Sequence, residues 1–183
     1  MNFCSNCARP LELRVPDGDN RERWCCAQCG AIHYENPKLV VGTIPIFNDQ
    51  VLLCRRAIEP RLGYWTLPAG FMEVGETMRE GALRETAEEA GARIELLELF
   101  SAFDVVEFRQ VHMYYRARLL DLEFAPGTES LEVRLFTEAE IPWPDLAFRT
   151  VSMSLRAYFA DRASGMFRLH EGAVVPARPT VSA

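Results

Sequence analysis

Short apolar runs separated by turn residues occur from Lys38 onward and predict β-strands. The segment 38–47 (KLVVGTIPIF) is apolar and rich in β-branched residues, and a turn at 48–50 separates it from a second apolar run at 51–56. Two such runs around a short turn are typical of a hairpin. Further strand candidates are 63–70, 93–103, 110–120 and 131–136, with 104–109 either continuing a strand or forming a loop.

A different, helical pattern begins at Thr77. Thr77-x-x-Glu80 is a capping box, which predicts the first turn of a helix, and Gly91 is suited to its C-terminal end. Helical spacing predicts a buried face for this helix, made by Leu83, Ala87 and Ala90.

The remaining elements follow in the C-terminal third of the chain. A short capped helical turn is predicted at 137–140, and an amphipathic helix at 146–161. The segment 164–183 has few apolar residues and several prolines, so we expect a loose tail with at most one short strand at 166–169. Strands and helices mix without a β-α-β rhythm, which predicts an α/β fold with a mixed sheet between helices.

The first 33 residues have paired cysteines in place of an apolar core. Cys4-x2-Cys7 is followed, 18 residues later, by Cys26-x2-Cys29, the spacing of a four-thiolate zinc site. So short a unit has too small a core to fold alone, so a bound metal would supply much of its stability. We therefore predict a zinc ribbon at residues 1–33.

One neighbouring cysteine leaves the ligand set open. Cys25-x3-Cys29 is a possible second pair, but Cys26-x2-Cys29 mirrors the first pair and precedes Gly30, which suits a tight turn. We favour Cys26 as the ligand. We interpret His33 as a surface or hinge residue and not as a metal ligand.

Composition narrows the classes of partner. The chain has 183 residues, 49 % of them hydrophobic, which fits one ordinary domain plus a small unit. Its net charge of −6 argues against general binding to nucleic acid, which depends on Lys and Arg. No apolar run is long enough to span a bilayer, and the first ten residues do not have a signal-peptide pattern. We expect a cytoplasmic protein without membrane contact.

Candidate chemistry concentrates between Gly70 and Ala92. The six acids of this stretch are Glu73, Glu76, Glu80, Glu85, Glu88 and Glu89, and they are opposed by two arginines, Arg79 and Arg84. On the predicted helix, Glu85, Glu88 and Glu89 are spaced i, i+3, i+4 and share one face. Such a cluster of like charges costs free energy, and a divalent cation is the usual compensation.

This stretch resembles the signature of the Nudix hydrolases. The family pattern is met at its charged and glycine positions, which are Gly70, Glu76, Arg84, Glu85, Glu88, Glu89 and Gly91. Two positions that are bulky and aliphatic in the family hold Thr86 and Ala92, which concerns helix packing more than chemistry. The resemblance implies an α/β/α sandwich over residues 37–163.

The resemblance also implies roles for these residues. Glu85 and Glu89 would be the main ligands of Mg²⁺ or Mn²⁺, with Glu88 bound directly or through water, and a backbone carbonyl near Ala69 or Gly70 would complete the shell. Arg84 would pair with Glu76 and hold the loop against the helix. For the general base we name Glu129 first; Glu132 and Glu107 are alternatives.

By resemblance, the reaction is hydrolysis of the diphosphate bond in a nucleoside diphosphate linked to another group. A zinc ribbon ahead of the domain is similar to branches acting on NADH, or on FAD and ADP-ribose. The motif of the NADH branch is represented only by Ile141-Pro-Trp-Pro144, which favours FAD or ADP-ribose, with release of AMP. NADH or capped RNA is the alternative, and a homodimer is expected.

A third reading is a binding module, in which the ribbon recognises nucleic acid or a partner and the Nudix-like domain only senses a nucleotide. The ribbon would offer a modest basic face made by Arg9, Arg14, Arg21 and Arg23. Other contacts to substrate are less specific in the sequence. Candidate base-stacking aromatics are Phe71, Tyr64, Trp65 and Phe103, although most aromatics at such positions belong to a core. Arg55 and Arg56 could meet a phosphate, but we favour a solvated strand end.

Overall fold

Residues 1–174 are described by the computed structural model, and the chain divides into two units, 1–36 and Pro37 onward. The N-terminal unit is a small antiparallel sheet of three strands, β1 (Glu12–Arg14), β2 (Arg23–Cys25) and β3 (Ile32–His33). Its buried cluster holds little beyond Leu11 and cysteine side chains, so apolar burial contributes little to its stability.

The second unit is built on one mixed sheet in the order β10-β5-β4-β9-β8-β11, with β6 beside β5 and β7 beside β4. Its strands are β4 (Lys38–Phe47), β5 (Gln50–Arg56), β6 (Trp65–Thr66), β7 (Ala69–Phe71), β8 (Ile94–Val105), β9 (Gln110–Leu119), β10 (Ser130–Phe136) and β11 (His170–Ala173). The helices are α1 (Met78–Ala90) and α2 (Arg149–Ser164), with 3-10 turns at Val106–Phe108, Glu138–Glu140 and Trp143–Asp145. Pairs β4–β9 and β8–β11 are parallel and the other pairs are antiparallel.

The two long helices cover opposite faces of this sheet. Successive residues of a strand point to opposite sides, and Tyr114 and Tyr115 of β9 illustrate the division. Tyr114 packs in the cluster that contains Val151 of α2, whereas Tyr115 packs with Ala82 of α1. The predicted α/β/α sandwich with a mixed sheet is confirmed.

Helix α1 begins and ends as its sequence predicts. Thr77 accepts a hydrogen bond from Glu80 N, the Glu80 side chain accepts one from Thr77 N, and Gly91 caps the C-terminus at φ 58°. Its predicted buried face is wrong in part, since Leu83 and Ala87 are exposed. The face toward the sheet is instead made by Gly81, Ala82, Glu85, Thr86, Glu89 and Ala90.

Thr86 shows how a small polar residue serves at this interface. Its hydroxyl donates to the Ala82 carbonyl at 2.8 Å, so the Thr43 hydroxyl of β4 donates to Thr86 Oγ1 at 2.7 Å. Both threonines are fully buried, and this paired arrangement satisfies their hydroxyls.

The sheet opens between two of its central strands. Within the described residues, β4 and β5 pair only beside their turn, at Ile46–Val51 and Phe47–Gln50. Farther along, β4 pairs with β7 and β5 pairs with β6, so the two strands diverge and residues 67–70 cross between them. The functional stretch predicted from the sequence lies beside this opening.

Two predictions for the C-terminal part need correction. Helix α2 begins at Arg149, because Leu146 forms a bridge with Trp65 and belongs to the preceding extended segment. The expected strand at 166–169 is instead β11, at 170–173, which joins the sheet beside β8, so these residues are not a loose tail. The remainder of the predicted tail, 175–183, lies outside the described residues.

The segment 104–109, which the sequence leaves open as strand or loop, finishes β8 and forms a 3-10 turn.

In residues 1–174, no helix has the length and apolar character needed to cross a membrane.

A buried histidine links the sheet to α2. His112 Nδ1 lies 2.9 Å from Thr150 Oγ1, and Nε2 lies 2.9 Å from Gln110 Oε1. Because an amide oxygen only accepts, Nε2 carries the proton and Nδ1 accepts from the threonine hydroxyl. Burial lowers the pKa of His112 to about 4. In mildly acidic solution the ring therefore stays neutral in the folded protein, whereas the same histidine is protonated in the unfolded chain.

This residue should make the fold sensitive to mild acid. The pKa of His112 is near 4 in the folded protein and about 6.5 in the unfolded chain. Its destabilising effect on the fold is therefore absent above pH 6.5 and grows as pH falls toward 4. We expect the unfolding free energy of the wild type to fall by up to about 3 kcal/mol more than that of His112→Gln between pH 7 and pH 4. Denaturant titrations at a series of pH values measure this difference, and parallel curves would contradict it.

Candidate functional site

Four cysteine sulfurs converge in the N-terminal unit. The Sγ atoms of Cys4, Cys7, Cys26 and Cys29 lie within 4.8 Å of one another, with Cys4–Cys29 at 3.7 Å and Cys7–Cys26 at 3.5 Å. A tetrahedron with metal–sulfur bonds of about 2.3 Å has sulfur–sulfur edges of about 3.8 Å. The distances and the all-thiol donor set therefore fit zinc.

The choice between adjacent cysteines follows from their directions. Cys25 Sγ lies near the carbonyls of Arg14 and Arg23, away from the cluster. The pKa of Cys26 is lowered, first because its sulfur accepts a hydrogen bond from Cys29 N–H, whereas the pKa of Cys7 in the same cluster is raised. The choice of Cys26 over Cys25 therefore rests on the positions of the sulfurs. His33, expected at the surface or a hinge, has its Nε2 at 3.4 Å from Cys4 Sγ, so it contacts one of the four clustered sulfurs.

In the second unit, Arg84 is the centre of the acidic stretch. Its guanidinium binds both carboxylate oxygens of Glu76, at 2.7 and 3.0 Å, and donates to Glu85 Oε1 at 2.7 Å and Glu88 Oε2 at 3.0 Å. It also donates to the Phe71 carbonyl at 3.2 Å. The sequence anticipated a pair with Glu76; the structure shows a network of three carboxylates.

Glu76 is therefore a structural acid with a stable negative charge. The Arg84 hydrogen bonds and the Glu73 N–H, which donates to Oε1 at 2.7 Å, lower the pKa of Glu76 to about 2. Because Glu76 accepts these hydrogen bonds as a carboxylate, it holds the loop between β7 and α1 in place.

Glu85 and Glu89 differ from Glu88 in burial. Both face the opening of the sheet and are less than a tenth exposed, whereas the Glu88 side chain is 60 % exposed. Glu89 Oε2 accepts from Ala69 N at 3.1 Å, so the carboxylate meets the segment that crosses the opening.

The electrostatics of these two acids point to a cation. Desolvation raises the pKa of Glu89 to about 8; the Ala69 N–H and the Arg56 charge act against the rise, and Glu85 and Glu129 add to it. The pKa of Glu85 is raised as well, first by desolvation. Buried carboxylates that repel one another are an all-oxygen donor set suited to Mg²⁺ or Mn²⁺.

Gly70 makes room for this arrangement. A Cβ on Gly70 would lie 2.4 Å from both carboxylate oxygens of Glu85. Any side chain here would displace the acid, which explains why the crossing segment carries glycine at this position.

The loop after β9 is seated on the C-terminal end of α1. Ala125 N donates to the Ala90 carbonyl at 2.9 Å, and Gly127 N donates to the Glu89 carbonyl at 3.1 Å. A Cβ on Gly127 would lie 1.7 Å from the Glu88 carbonyl oxygen, so only glycine permits this approach. The seated loop leads directly to Glu129.

The three candidate bases differ in their surroundings. Glu129 is exposed, and its charge acts on both Glu85 and Glu89. Glu132 lies at 3.9 Å from Arg55 in a loose surface pair, and Glu107 is exposed on the 3-10 turn after β8. Of these three, Glu129 is the one whose charge contributes to raising the pKa of both buried acids.

Arg56 differs from its sequence interpretation as a solvated strand end. It is 9 % exposed, its Nε donates to the Pro60 carbonyl at 2.9 Å, and its guanidinium lies 5.1 Å from the centre of the Phe148 ring. Arg55 does match that interpretation, with a side chain 46 % exposed. The signal that distinguishes them is Phe148, which is remote in sequence.

The candidate stacking aromatics divide into two groups. Phe103 is buried, and Trp65 packs edge-to-face against Phe136 with ring centres 4.8 Å apart. Phe71 is 49 % exposed beside the acidic loop, and Tyr64 is half-buried under Arg61. Phe71 and Tyr64 therefore remain accessible to a ligand.

Comparison with family models covers nearly the whole described chain. Residues 36–154 match the NUDIX domain, and residues 2–35 match the model described as Nudix N-terminal, a zinc ribbon.

Solved structures give the same result. A NUDIX hydrolase from Nitrosomonas europaea is 52 % identical, with a TM-score of 0.92 over 95 % of this chain and 99 % of that one. An ADP-ribose pyrophosphatase from Streptococcus suis, at 23 % identity and a TM-score of 0.61, covers 76 % of this chain and 100 % of that one. This second likeness shows a shared fold.

Among curated proteins, the NAD-capped RNA hydrolase NudC of Pseudomonas aeruginosa (strain LESB58) is 27 % identical over 167 residues, covering 89 % of this chain. The NudC of Klebsiella pneumoniae is 31 % identical over 99 residues, which is 52 % of this chain and 35 % of the relative. This chain spans 57 % of the Pseudomonas protein, so it matches about half the length of such relatives.

The cysteine geometry predicts a zinc content that depends on one residue of an adjacent pair. The purified protein should contain about one zinc ion per chain, held by four thiolates. Cys26→Ser should lose most of this zinc and destabilise the N-terminal unit, while Cys25→Ser should retain it, because Cys25 points away from the cluster. Elemental analysis of the purified variants measures the content; the opposite pattern, or a protein purified without zinc, would overturn the assignment.

Proposed function

Because the chain belongs to the NUDIX hydrolase family, we propose that it hydrolyses the diphosphate bond of a nucleoside diphosphate linked to another group. The observation that carries this proposal is the burial of Glu85 and Glu89 against Gly70 and Ala69, at the opening of the sheet and beside the network of Arg84. We propose FAD or ADP-ribose as the substrate, with AMP as one product.

Glu85 and Glu89 would hold Mg²⁺ or Mn²⁺, and Glu88 would bind directly or through water. The bound ion would neutralise charge on the phosphate oxygens and activate a water molecule. The chain's own contribution is orientation: Ala69 N–H fixes one oxygen of Glu89, and Arg84 fixes one oxygen of Glu85. Fixed donors of this kind keep reacting groups in a productive geometry.

Part of the Arg84 network is independent of the proposed metal ligands. Its bidentate contact with Glu76 and its bond to the Phe71 carbonyl involve no proposed metal ligand. These contacts hold the guanidinium in position without help from Glu85 or Glu88. Arg84 and Glu76 therefore act as positioning residues.

For the general base we propose Glu129. Its support is electrostatic proximity to Glu85 and Glu89, together with the seating of its loop on α1. An exposed carboxylate at the edge of the site can take a proton from water and release it to solvent. Glu132 and Glu107 have no comparable observation in their favour.

A second substrate class has its own support. The Pseudomonas and Klebsiella relatives are named NAD-capped RNA hydrolases, which favours NADH or an NAD-capped RNA as the alternative. In the N-terminal unit, Arg23 is already paired with Asp19 at 2.9 Å and lies over the Tyr34 ring. That pairing reduces the cationic surface available for RNA.

The substrate is decided by a panel of FAD, ADP-ribose, NADH and NAD-capped RNA, each assayed with Mg²⁺ or Mn²⁺. AMP is the common product of the first three substrates. With capped RNA the adenylate stays on the RNA, so release of nicotinamide mononucleotide is the readout.

Glu89→Gln should abolish most activity while preserving the fold. The amide oxygen of glutamine can still accept from Ala69 N, but the side chain cannot supply an anionic ligand. We expect turnover to fall by roughly 10²- to 10³-fold or more, with a thermal midpoint close to that of the wild type. Steady-state assays on the preferred substrate measure the loss.

Glu138→Gln is the matched control, since Glu138 makes only a loose surface pair with Arg162 at 3.9 Å. Such pairs contribute about 0–1 kcal/mol, so activity should be unchanged. Wild-type turnover in Glu89→Gln would refute the proposed role of Glu89.

A further inference from the structure

Arg56 has the properties of an anion-binding group, and no carboxylate among residues 1–174 forms an ion pair with it. It lies at the end of β5, where the strand pairs with Ser130 of β10 and the backbone exchanges hydrogen bonds with Gly63 and Tyr64. The residue is 9 % exposed. A guanidinium cannot lose its proton, so its burial costs free energy unless an anion compensates it.

The side chain is fixed in place by two contacts. Nε donates to the Pro60 carbonyl at 2.9 Å, and the guanidinium lies over the Phe148 ring at 5.1 Å. The first contact fixes rotation about the end of the side chain, and the second favours a flat cation–π arrangement. Together they restrict the direction in which the terminal nitrogens point.

Those terminal nitrogens have no hydrogen-bond partner within residues 1–174, and no carboxylate there forms an ion pair with Arg56. Two parallel N–H groups on a planar fork are suited to a phosphate group, which they can bind in a bidentate manner. The structure therefore holds a prepared donor pair whose acceptor is not a described residue.

Its location relates this donor pair to the acidic site. Strand β6 pairs with β5 directly before Arg56 and leads into residues 67–70, and Ala69 N of that segment donates to the Glu89 carboxylate at the opening of the sheet. A ligand group that bridges Arg56 and a cation held by Glu85 and Glu89 must be anionic and must offer several oxygens. The diphosphate of a nucleotide meets both requirements.

We infer that Arg56 is a substrate-binding residue that binds the diphosphate of the nucleotide beside the metal-binding acids. This inference rests on the proposed function, and it adds a residue outside the acidic stretch. Phe148 and Pro60 serve it by holding the guanidinium, and the adjacent Arg55 has no part in it.

Arg55 provides a control one position away. Its side chain is 46 % exposed, its Nε donates to the Gly63 carbonyl at 3.0 Å, and it lies 3.9 Å from Glu132. Arg55→Met removes the same charge from the same strand without touching the buried donor pair. Any effect of net charge or of strand stability alone would be shared by the two variants.

The test compares wild type, Arg56→Met, Arg56→Lys and Arg55→Met in binding and in catalysis. The binding probe is α,β-methylene-ADP with Mg²⁺, measured by calorimetry, because it presents a diphosphate that the enzyme cannot cleave. Loss of a charge-assisted contact should weaken binding by about 10- to 100-fold in Arg56→Met. Inorganic phosphate, tested in parallel, distinguishes a nucleotide site from one that accepts any phosphate.

Arg56→Lys keeps the charge and much of the apolar stem but not the planar fork, so it should be intermediate. It also keeps the test decisive if Arg56→Met fails to fold, which thermal unfolding reveals. In catalysis, kcat/KM for the preferred substrate should fall in the same order, and Arg55→Met should match the wild type.

Three results would each overturn the inference. They are wild-type affinity for the analogue in both Arg56 variants, a loss of affinity in Arg55→Met equal to that in Arg56→Met, and failure of the wild type to bind the analogue. Tight binding of inorganic phosphate alone would overturn its nucleotide part. If no dinucleotide is cleaved by the wild type but the difference in analogue binding persists, the proposed hydrolysis fails and the role of Arg56 stands.

Discussion

The organisation of the acidic site depends on the guanidinium of Arg84. It contacts three carboxylates and one backbone carbonyl, and thereby joins the loop before α1, the helix itself and strand β7. Carboxylates this close repel one another, which raises their pKa values and loosens the segments that carry them. A residue that stays charged at every accessible pH removes that instability without depending on conditions.

A second constraint is the divergence of β4 and β5. A continuous ladder would seal the sheet, whereas the short pairing near their turn leaves a gap crossed by residues 67–70. Glu89 uses that gap: its carboxylate is buried yet meets a free backbone N–H there. The interruption of the sheet and the unusual environment of the acid are thus one structural feature.

Much of this architecture could be predicted because its signals are local. The capping box of Thr77 and Glu80, the glycine after α1 and the paired cysteines each determine geometry within a few residues. The buried face of α1 was mispredicted because periodicity favours apolar Leu83, whereas the opening of the sheet takes in Glu85 and Glu89. Functional sites are where such local rules are expected to fail.

The other errors came from contacts distant in sequence. Strand β11 is held by its pairing with β8 and by the bond between His170 and Asp161, at 2.8 Å. Arg56 is buried by Phe148, more than ninety positions away. The partners of the β8–β11 pairing and of the Arg56–Phe148 contact are far apart in sequence, so composition and periodicity within a short window give no information about either contact.

The seating of Gly127 on α1 also bears on how the chain can diverge. The loop's N–H groups occupy carbonyls at the end of the helix, so the distance from Gly127 to Glu129 is tied to the position of Glu89. Insertions there would shift one acid relative to the other, whereas residues 121–124, before this anchor, carry no such restriction. Insertions and deletions among related chains should therefore occur before Gly127, at residues 121–124, and be absent between Gly127 and Glu129.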